Sequence, residues 1–218
     1  MAHAMNGVRR LIETDEMPIG RISEHARRDQ NIRKGHLHSL HVWWATRPLA
    51  ACRAVLMATL LPDPADEHCP ESFRQAAQEL LRPFPGGGLD LSNPLTLRRT
   101  LLDFIANFAD WENAHKPLFV EAARKLVAAA HPEGPPLVVD PFAGIGSIPF
   151  EALRIGAEAF AGDLNPVAVL LEKVALECLP RYGHRLAEVV RKWGAWVREQ
   201  AIRELRPFYP LEPDGSEP

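Results

Sequence analysis

Apolar and polar positions follow a helical period over the first two thirds of this chain. Behind Pro48, which a first helical turn accommodates, the run from Leu49 to Ala58 puts Leu49, Arg53 and Leu56 at helical spacing and predicts a helix. An earlier helix is expected to open at Ser23 and Glu24, after the turn-like Met17-Pro18-Ile19-Gly20. A short helix is predicted over 71–81, and amphipathic helices over 95–109 and 117–130. Leu118, Val120, Ala122, Leu126 and Val127 form much of the apolar face of the last of these. Leu61 to Pro70 is rich in Pro and Asp, and Pro83-Phe84-Pro85-Gly86-Gly87-Gly88 suits neither helix nor strand. Residues 60–93 therefore read as mostly linker around one helix.

The period changes after Gly134-Pro135-Pro136. Leu137-Val138-Val139, ending at Asp140-Pro141, reads as a short buried strand followed by a Gly-rich turn and a helix. Ala157 to Ala161 repeats the strand signal and ends at Gly162-Asp163. Helical stretches are predicted over 167–179 and 184–205, before a Pro-rich tail, and no internal repeat is present. The fold class is α/β: a partial Rossmann-like sheet preceded by a mainly helical N-terminal region.

Composition narrows this little: 218 residues with 46% hydrophobic and 24% charged content suit an ordinary globular protein. A net charge of −3 carries no whole-chain signal for nucleic acid, so any such signal is local. From Arg21 to Arg53, seven Lys or Arg stand against Glu24 and Asp29 alone, and Arg27, Arg28, Arg33 and Lys34 are candidates for phosphate contacts. Cys52, Cys69 and Cys178 form no Cys-x-x-Cys pair and read as reduced thiols. No signal peptide and no bilayer-spanning apolar run occur, so a cytoplasmic location without a membrane partner is expected.

The densest chemistry is Asp140-Pro141-Phe142-Ala143-Gly144-Ile145-Gly146-Ser147, between a strand and a helix, where open α/β sheets bind ligands. Gly144 and Gly146 let the backbone turn tightly and approach a ligand, and the helix that follows offers free N–H groups. Asp163, 23 residues after Asp140, ends the next strand, where a carboxylate accepts hydrogen bonds from ribose hydroxyls. A dinucleotide fingerprint would place Gly at 149, where this chain has Pro149, so NAD is disfavoured.

Asp-Pro-Phe-x-Gly-x-Gly-Ser resembles motif I of S-adenosylmethionine-dependent methyltransferases acting on nucleic acid, and Gly162-Asp163-Leu164-Asn165-Pro166 resembles their acidic motif. That resemblance implies S-adenosylmethionine as cofactor. Phe142, Gly144 and Gly146 would line its methionine side, Asp163 would hold the ribose and Leu164 would flank the adenine, with Asp140, Ala143, Ser147 and Asn165 as further cofactor-binding residues of the two motifs. Upstream, Leu11-Ile12-Glu13, Arg21-Ile22-Ser23-Glu24-His25-Ala26-Arg27-Arg28 and Gly35-His36-Leu37-His38-Ser39-Leu40-His41-Val42-Trp43-Trp44-Ala45-Thr46-Arg47-Pro48-Leu49 look like the start of large proteins catalogued as adenine-specific DNA methylases. The N-terminal region of those proteins is catalogued as a domain of unknown function. Thr46 stands where that family usually has a second Arg. In amino-methyltransferases of this motif order the segment before motif I wraps over the cofactor. The resemblance thus makes Trp44, Arg47 and Pro48 candidates for its methionine end, with Arg47 facing the carboxylate. It implies segments 1–60 (basic, cofactor-covering), 61–131 (helical, with linkers), 132–206 (cofactor-binding half of a methyltransferase domain) and 207–218 (tail).

Such enzymes hold the target amino group with an Asp/Asn/Ser-Pro-Pro-aromatic tetrapeptide. Within this sequence Pro135-Pro136 is followed by Leu137, while Asn93-Pro94 and Asn165-Pro166 are followed by Leu95 and Val167. No catalytic residue is therefore assigned. The expectation is a chain that binds the cofactor, is inactive alone, and needs a further polypeptide to complete its sheet. DNA is favoured over RNA as the nucleic-acid partner. The alternatives are a non-enzymatic partner- or DNA-binding module with a remnant pocket, and part of an RNA base methyltransferase. His36, His38 and His41 read as surface or phosphate-facing groups rather than metal ligands. Trp193 and Trp196, three apart in a helical stretch, read as packing residues.

Overall fold

A computed structural model describes residues 7–32, 36–43 and 46–209; Arg33, Lys34 and Trp44 lie outside them. The chain divides into two units, Met1–Glu172 and Lys173–Pro218.

The first unit opens with α1 (Ile19–Asp29), α2 (Leu49–Leu60), α3 (Glu71–Leu81), α4 (Pro94–Ala109) and α5 (Pro117–Ala130). α1 begins at Ile19, ahead of the expected Ser23, directly after Pro18, whose fixed φ suits a helix start. α4 is apolar nearly all round, burying Leu97, Leu101, Phe104, Ile105 and Phe108, and it packs against α1, α2 and α3. Its start is set by Pro94 and by Asn93, whose side-chain oxygen accepts from the N–H groups of Leu95 (2.9 Å) and Thr96 (3.3 Å). Phe84, Phe104, Phe108 and Phe119 form one aromatic cluster, with Phe84 edge-on to Phe104 at 4.8 Å. The loops around α3 join this core: Leu61, Cys69, Phe84 and Leu91 are buried. Asp63 is buried too, and accepts a two-pronged bond from Arg98 at 2.7 and 2.6 Å.

The remainder of the unit is β1 (Leu137–Asp140), α6 (Ser147–Arg154), β2 (Glu158–Ala161) and α7 (Pro166–Glu172). β1 and β2 pair in parallel, with Val139 opposite Phe160 and Asp140 opposite Ala161. Parallel neighbours need a crossover, and α6 supplies it, packing on both strands and on α2. Side chains alternate across the pair: Leu137, Val139 and Phe160 are 60%, 57% and 60% exposed. The chain is thus mixed α/β and mostly helical, with a two-stranded parallel sheet among the described residues.

The second unit opens with a π-helical turn, Lys173–Cys178, then α8 (Leu179–Tyr182) and α9 (His184–Leu205). The continuous α-helix expected over 167–179 thus gives way to wider turns after Glu172. Pro180 lacks an N–H and crowds the carbonyl four residues back, and widening the helix relieves both. Trp193 and Trp196 stack edge to face at 5.8 Å but stay 55% and 52% exposed, so they pack on each other rather than into a core. No helix among the described residues is long and apolar enough to cross a membrane.

Candidate nucleoside site

Beyond the C-terminal ends of β1 and β2, the first unit holds a cavity of about 500 Å³. One side is the loop 140–147. The Asp140 carboxylate accepts from Phe142 N–H at 3.2 Å, Ala143 N–H bonds Gly162 O at 3.0 Å, and Gly146 N–H closes back on Ala143 O at 2.8 Å. Gly144 and Gly146 have φ of +59° and +82°, left-handed conformations that a side chain disfavours. Close approach binds Gly144 further, since a Cβ there would stand 3.0 Å from Nε1 of Trp43.

Asp163 ties the second strand to this loop. Its two carboxylate oxygens accept from Gly144 N–H and Asn165 N–H, each at 2.9 Å. These two amides, Asn165 first and Gly144 next, hold the Asp163 carboxyl below its ordinary value. Asn165 in turn accepts from Val167 N–H at 3.0 Å and caps α7. Asp163 is therefore a strut of the loop as well as a candidate ribose acceptor, and each oxygen keeps a lone pair for a ligand.

The opposite wall comes from far upstream. Trp43, Thr46 and Arg47 line the cavity, and Thr46 Oγ1 donates to Trp43 O at 2.9 Å, tying two of these wall residues together. The Arg47 side chain makes no hydrogen bond or ion pair to a described residue and is exposed. Pro48 lies beside the cavity instead, in an adjoining hollow of about 250 Å³ shared with Asp29, His36, Trp43 and Arg47.

Asp29 explains how a helix with no capping side chain of its own begins there. Pro48, the residue before α2, cannot cap, and Asp29 accepts from Ala50 N–H at 3.3 Å. His36 Nε2 also bonds Asp29, at 3.0 Å, and the ring stacks on Trp111 at 5.2 Å. His36 is only 4% exposed, which corrects the expectation of a surface histidine: it is a buried brace. Burial opposes ionisation of Asp29, but the bonds from His36 and the backbone amides at the start of α2, Ala50 foremost, outweigh it and hold the carboxyl below its usual range.

Two buried groups near the cavity lack partners. Ser147, the first residue of α6, is 4% exposed, and its hydroxyl makes no hydrogen bond among the described residues. Oε1 of Glu172 is likewise unpartnered, and burial, then the charges of Asp163 and Asp140, push that carboxyl up. Cys52, behind the wall, is no nucleophile, because burial and the nearby Glu151 and Asp29 carboxylates push its thiol up to about 12.

Of the residues singled out from sequence, the fold gathers Asp140, Phe142, Ala143, Gly144, Ser147, Asp163, Asn165 and Arg47 around one cavity. Gly146 is buried in the turn behind it, Leu164 is 97% exposed beside it, and Trp44 is outside the described residues. Trp43, Ile145, Ile148 and Glu172 were not foreseen, since no motif in the sequence marks them. Arg27 and Arg28 are exposed on α1, Arg28 3.8 Å from Glu112.

The profile of a family described as a protein of unknown function (DUF1156) matches residues 16–81, the segment that contributes Trp43, Thr46 and Arg47. No curated protein and no solved structure matches the chain.

Proposed function

We propose that the cavity binds S-adenosylmethionine and that the chain is the cofactor-binding part of a methyltransferase acting on amino groups of nucleic acid, DNA before RNA. The observation that carries the reading is the cavity's division of charge. Asp140 and Asp163 line it at the strand ends, while the N-terminus of α6, at the end of the same loop, and Arg47, on the opposite wall, bring positive charge to it. The N–H groups of Ser147 and Ile148 precede the first intrahelical bond, Phe150 N–H to Gly146 O at 2.8 Å, and carry the helix's partial positive charge. A nucleoside bearing an amino acid needs this arrangement: acids for its ammonium and ribose hydroxyls, positive groups for its carboxylate. The orphaned Ser147 hydroxyl supplies a hydrogen bond that such a carboxylate accepts.

The cofactor supplies an activated methyl group; this chain's residues orient it, and none is assigned to hold the target base. Catalysis on this reading needs a polypeptide that carries the target-binding residues and covers the apolar face of Leu137, Val139 and Phe160, whether as a separate chain or as a continuation of this one. Apolar surface of this kind marks a protein contact. The test is titration calorimetry with S-adenosylmethionine, paired with transfer of labelled methyl groups to DNA and RNA. Saturable one-to-one binding without transfer is expected. Absence of binding by the folded chain overturns the cofactor reading, and transfer by the chain alone overturns the assignment of an incomplete active site.

A further inference from the structure

We infer that Arg53 and Glu151 are positioning residues, a buried clamp that sets the gap between the two walls of the cavity; the inference rests on reading that cavity as the nucleoside site. α2 begins at Leu49, directly after the wall residues Thr46 and Arg47, and α6 begins at Ser147, directly after the glycine loop. Arg53 and Glu151 each lie four residues into their helix, about one turn below the cavity. Arg53 Nε donates to Glu151 Oε2 at 2.7 Å and Nη2 donates to Oε1 at 3.3 Å, across 98 residues of sequence. The two side chains are 1% and 0% exposed.

The clamp is fully seated. Arg53 Nη1 donates to Phe108 O at 2.5 Å, and its guanidinium carbon lies 5.1 Å from the centre of the Phe108 ring. Glu151 also accepts from Arg154 Nε at 3.2 Å, and Arg154 Nη1 reaches Ala114 O at 2.9 Å. Replacing a buried ion pair with apolar side chains is often neutral or stabilising, so stability alone does not call for charge here. A two-pronged fork admits one separation and one rotation of its partners, whereas apolar contacts tolerate sliding. The cavity needs that restriction. With Trp43 set so close to Gly144 that a single added carbon would stand 3.0 Å from its ring nitrogen, a small shift of α2 against α6 alters both walls together. Arg53 falls within the segment matched by the family of unknown function, so the clamp gives one residue of that segment a role.

The test compares the full chain with the double variant Arg53→Met/Glu151→Leu. Thermal unfolding, amide hydrogen exchange of the unliganded proteins and calorimetry with S-adenosylmethionine are measured on both. Expected are a folded variant whose unfolding temperature falls modestly, since Phe108 O and Arg154 lose their partners, exchange about tenfold faster or more within 46–49 and 141–148 but not in α3 or α5, and affinity weakened about tenfold or more. Wild-type exchange and affinity in a folded double variant overturn the clamp. If the wild-type chain binds no S-adenosylmethionine, the nucleoside reading falls, and the exchange comparison still decides whether the pair restrains the walls. Arg53→Lys keeps the charge but loses the fork, so it serves where the double variant does not fold. Intermediate loosening of the same two segments is expected, and wild-type protection in Arg53→Lys overturns the proposal.

Discussion

Replacing Gly144 by Ala separates what the loop's backbone needs from what the cavity needs. At φ +59° an alanine is held in the left-handed region, at a cost of about 1–2 kcal/mol. The substitution also stiffens the unfolded chain, which returns about 0.4–1 kcal/mol, so a net destabilisation of about 1 kcal/mol is expected. For a unit the length of Met1–Glu172 that lowers the unfolding temperature by about 2–4 °C. The new methyl meets Trp43 at Nε1 (3.0 Å) and Cδ1 (3.4 Å), so the indole must shift by a few tenths of an ångström, which displaces a residue of the cavity wall. Affinity for S-adenosylmethionine should fall about tenfold, more than the stability change alone explains. Gly20→Ala is the control: this glycine sits in α1 with no atom near its missing Cβ, and the change should stabilise by about 0.5–1 kcal/mol. Scanning fluorimetry and calorimetry on the two variants suffice. If Gly144→Ala behaves like Gly20→Ala, raising the unfolding temperature with unchanged affinity, the left-handed turn against Trp43 is not the conformation that binds.

Asp163→Ala should weaken cofactor binding and also speed amide exchange at Gly144 and Asn165, since both amides lose their acceptor; weaker binding with unchanged exchange would show that Asp163 is not a strut. The depressed Asp163 carboxyl makes a contribution to stability that is present above its ordinary value near 3.8 and is lost as pH falls through the lower folded value. Protection of Gly144 should therefore persist down to that acid range in the wild type and be absent in Asp163→Ala, as exchange measured against pH will show. Glu172 runs the other way: its raised folded value means that stability declines as pH rises from about 4.5 through that value, and Glu172→Gln should remove the decline in unfolding curves across that window. Phe160→Lys, on the exposed sheet face, should leave cofactor affinity intact while weakening association with any polypeptide that completes the sheet, measured by analytical ultracentrifugation.

Turn chemistry is local and was legible. Two glycines before a helix permit positive φ, and Gly144 and Gly146 adopt it; the strands ending at Asp140 and Ala161 need only their own apolar runs and the turns after them. Pro94 and Asn93, and Pro117, likewise mark helix starts from neighbouring residues alone. What escaped the sequence is long-range. Asp29 caps a helix twenty residues on, and Arg53 meets Glu151 across 98 residues; nothing in either neighbourhood announces a partner. His36 looked like a surface residue because a histidine's burial depends on the acid it finds, here Asp29, rather than on its flanks. The loops around α3 read as linkers from their Pro and Gly content, yet Leu61, Phe84 and Leu91 fill the core between helices whose packing no single segment encodes.

The central claim is a place as much as a ligand, and a crystal structure of the chain grown with S-adenosylhomocysteine tests it most directly. The account predicts the nucleoside in the cavity of about 500 Å³, its ribose hydroxyls on Asp163 and its carboxylate toward Arg47 and Ser147. The same ligand bound elsewhere on the chain, or the 140–147 loop closed over an empty cavity at saturating ligand, would contradict it.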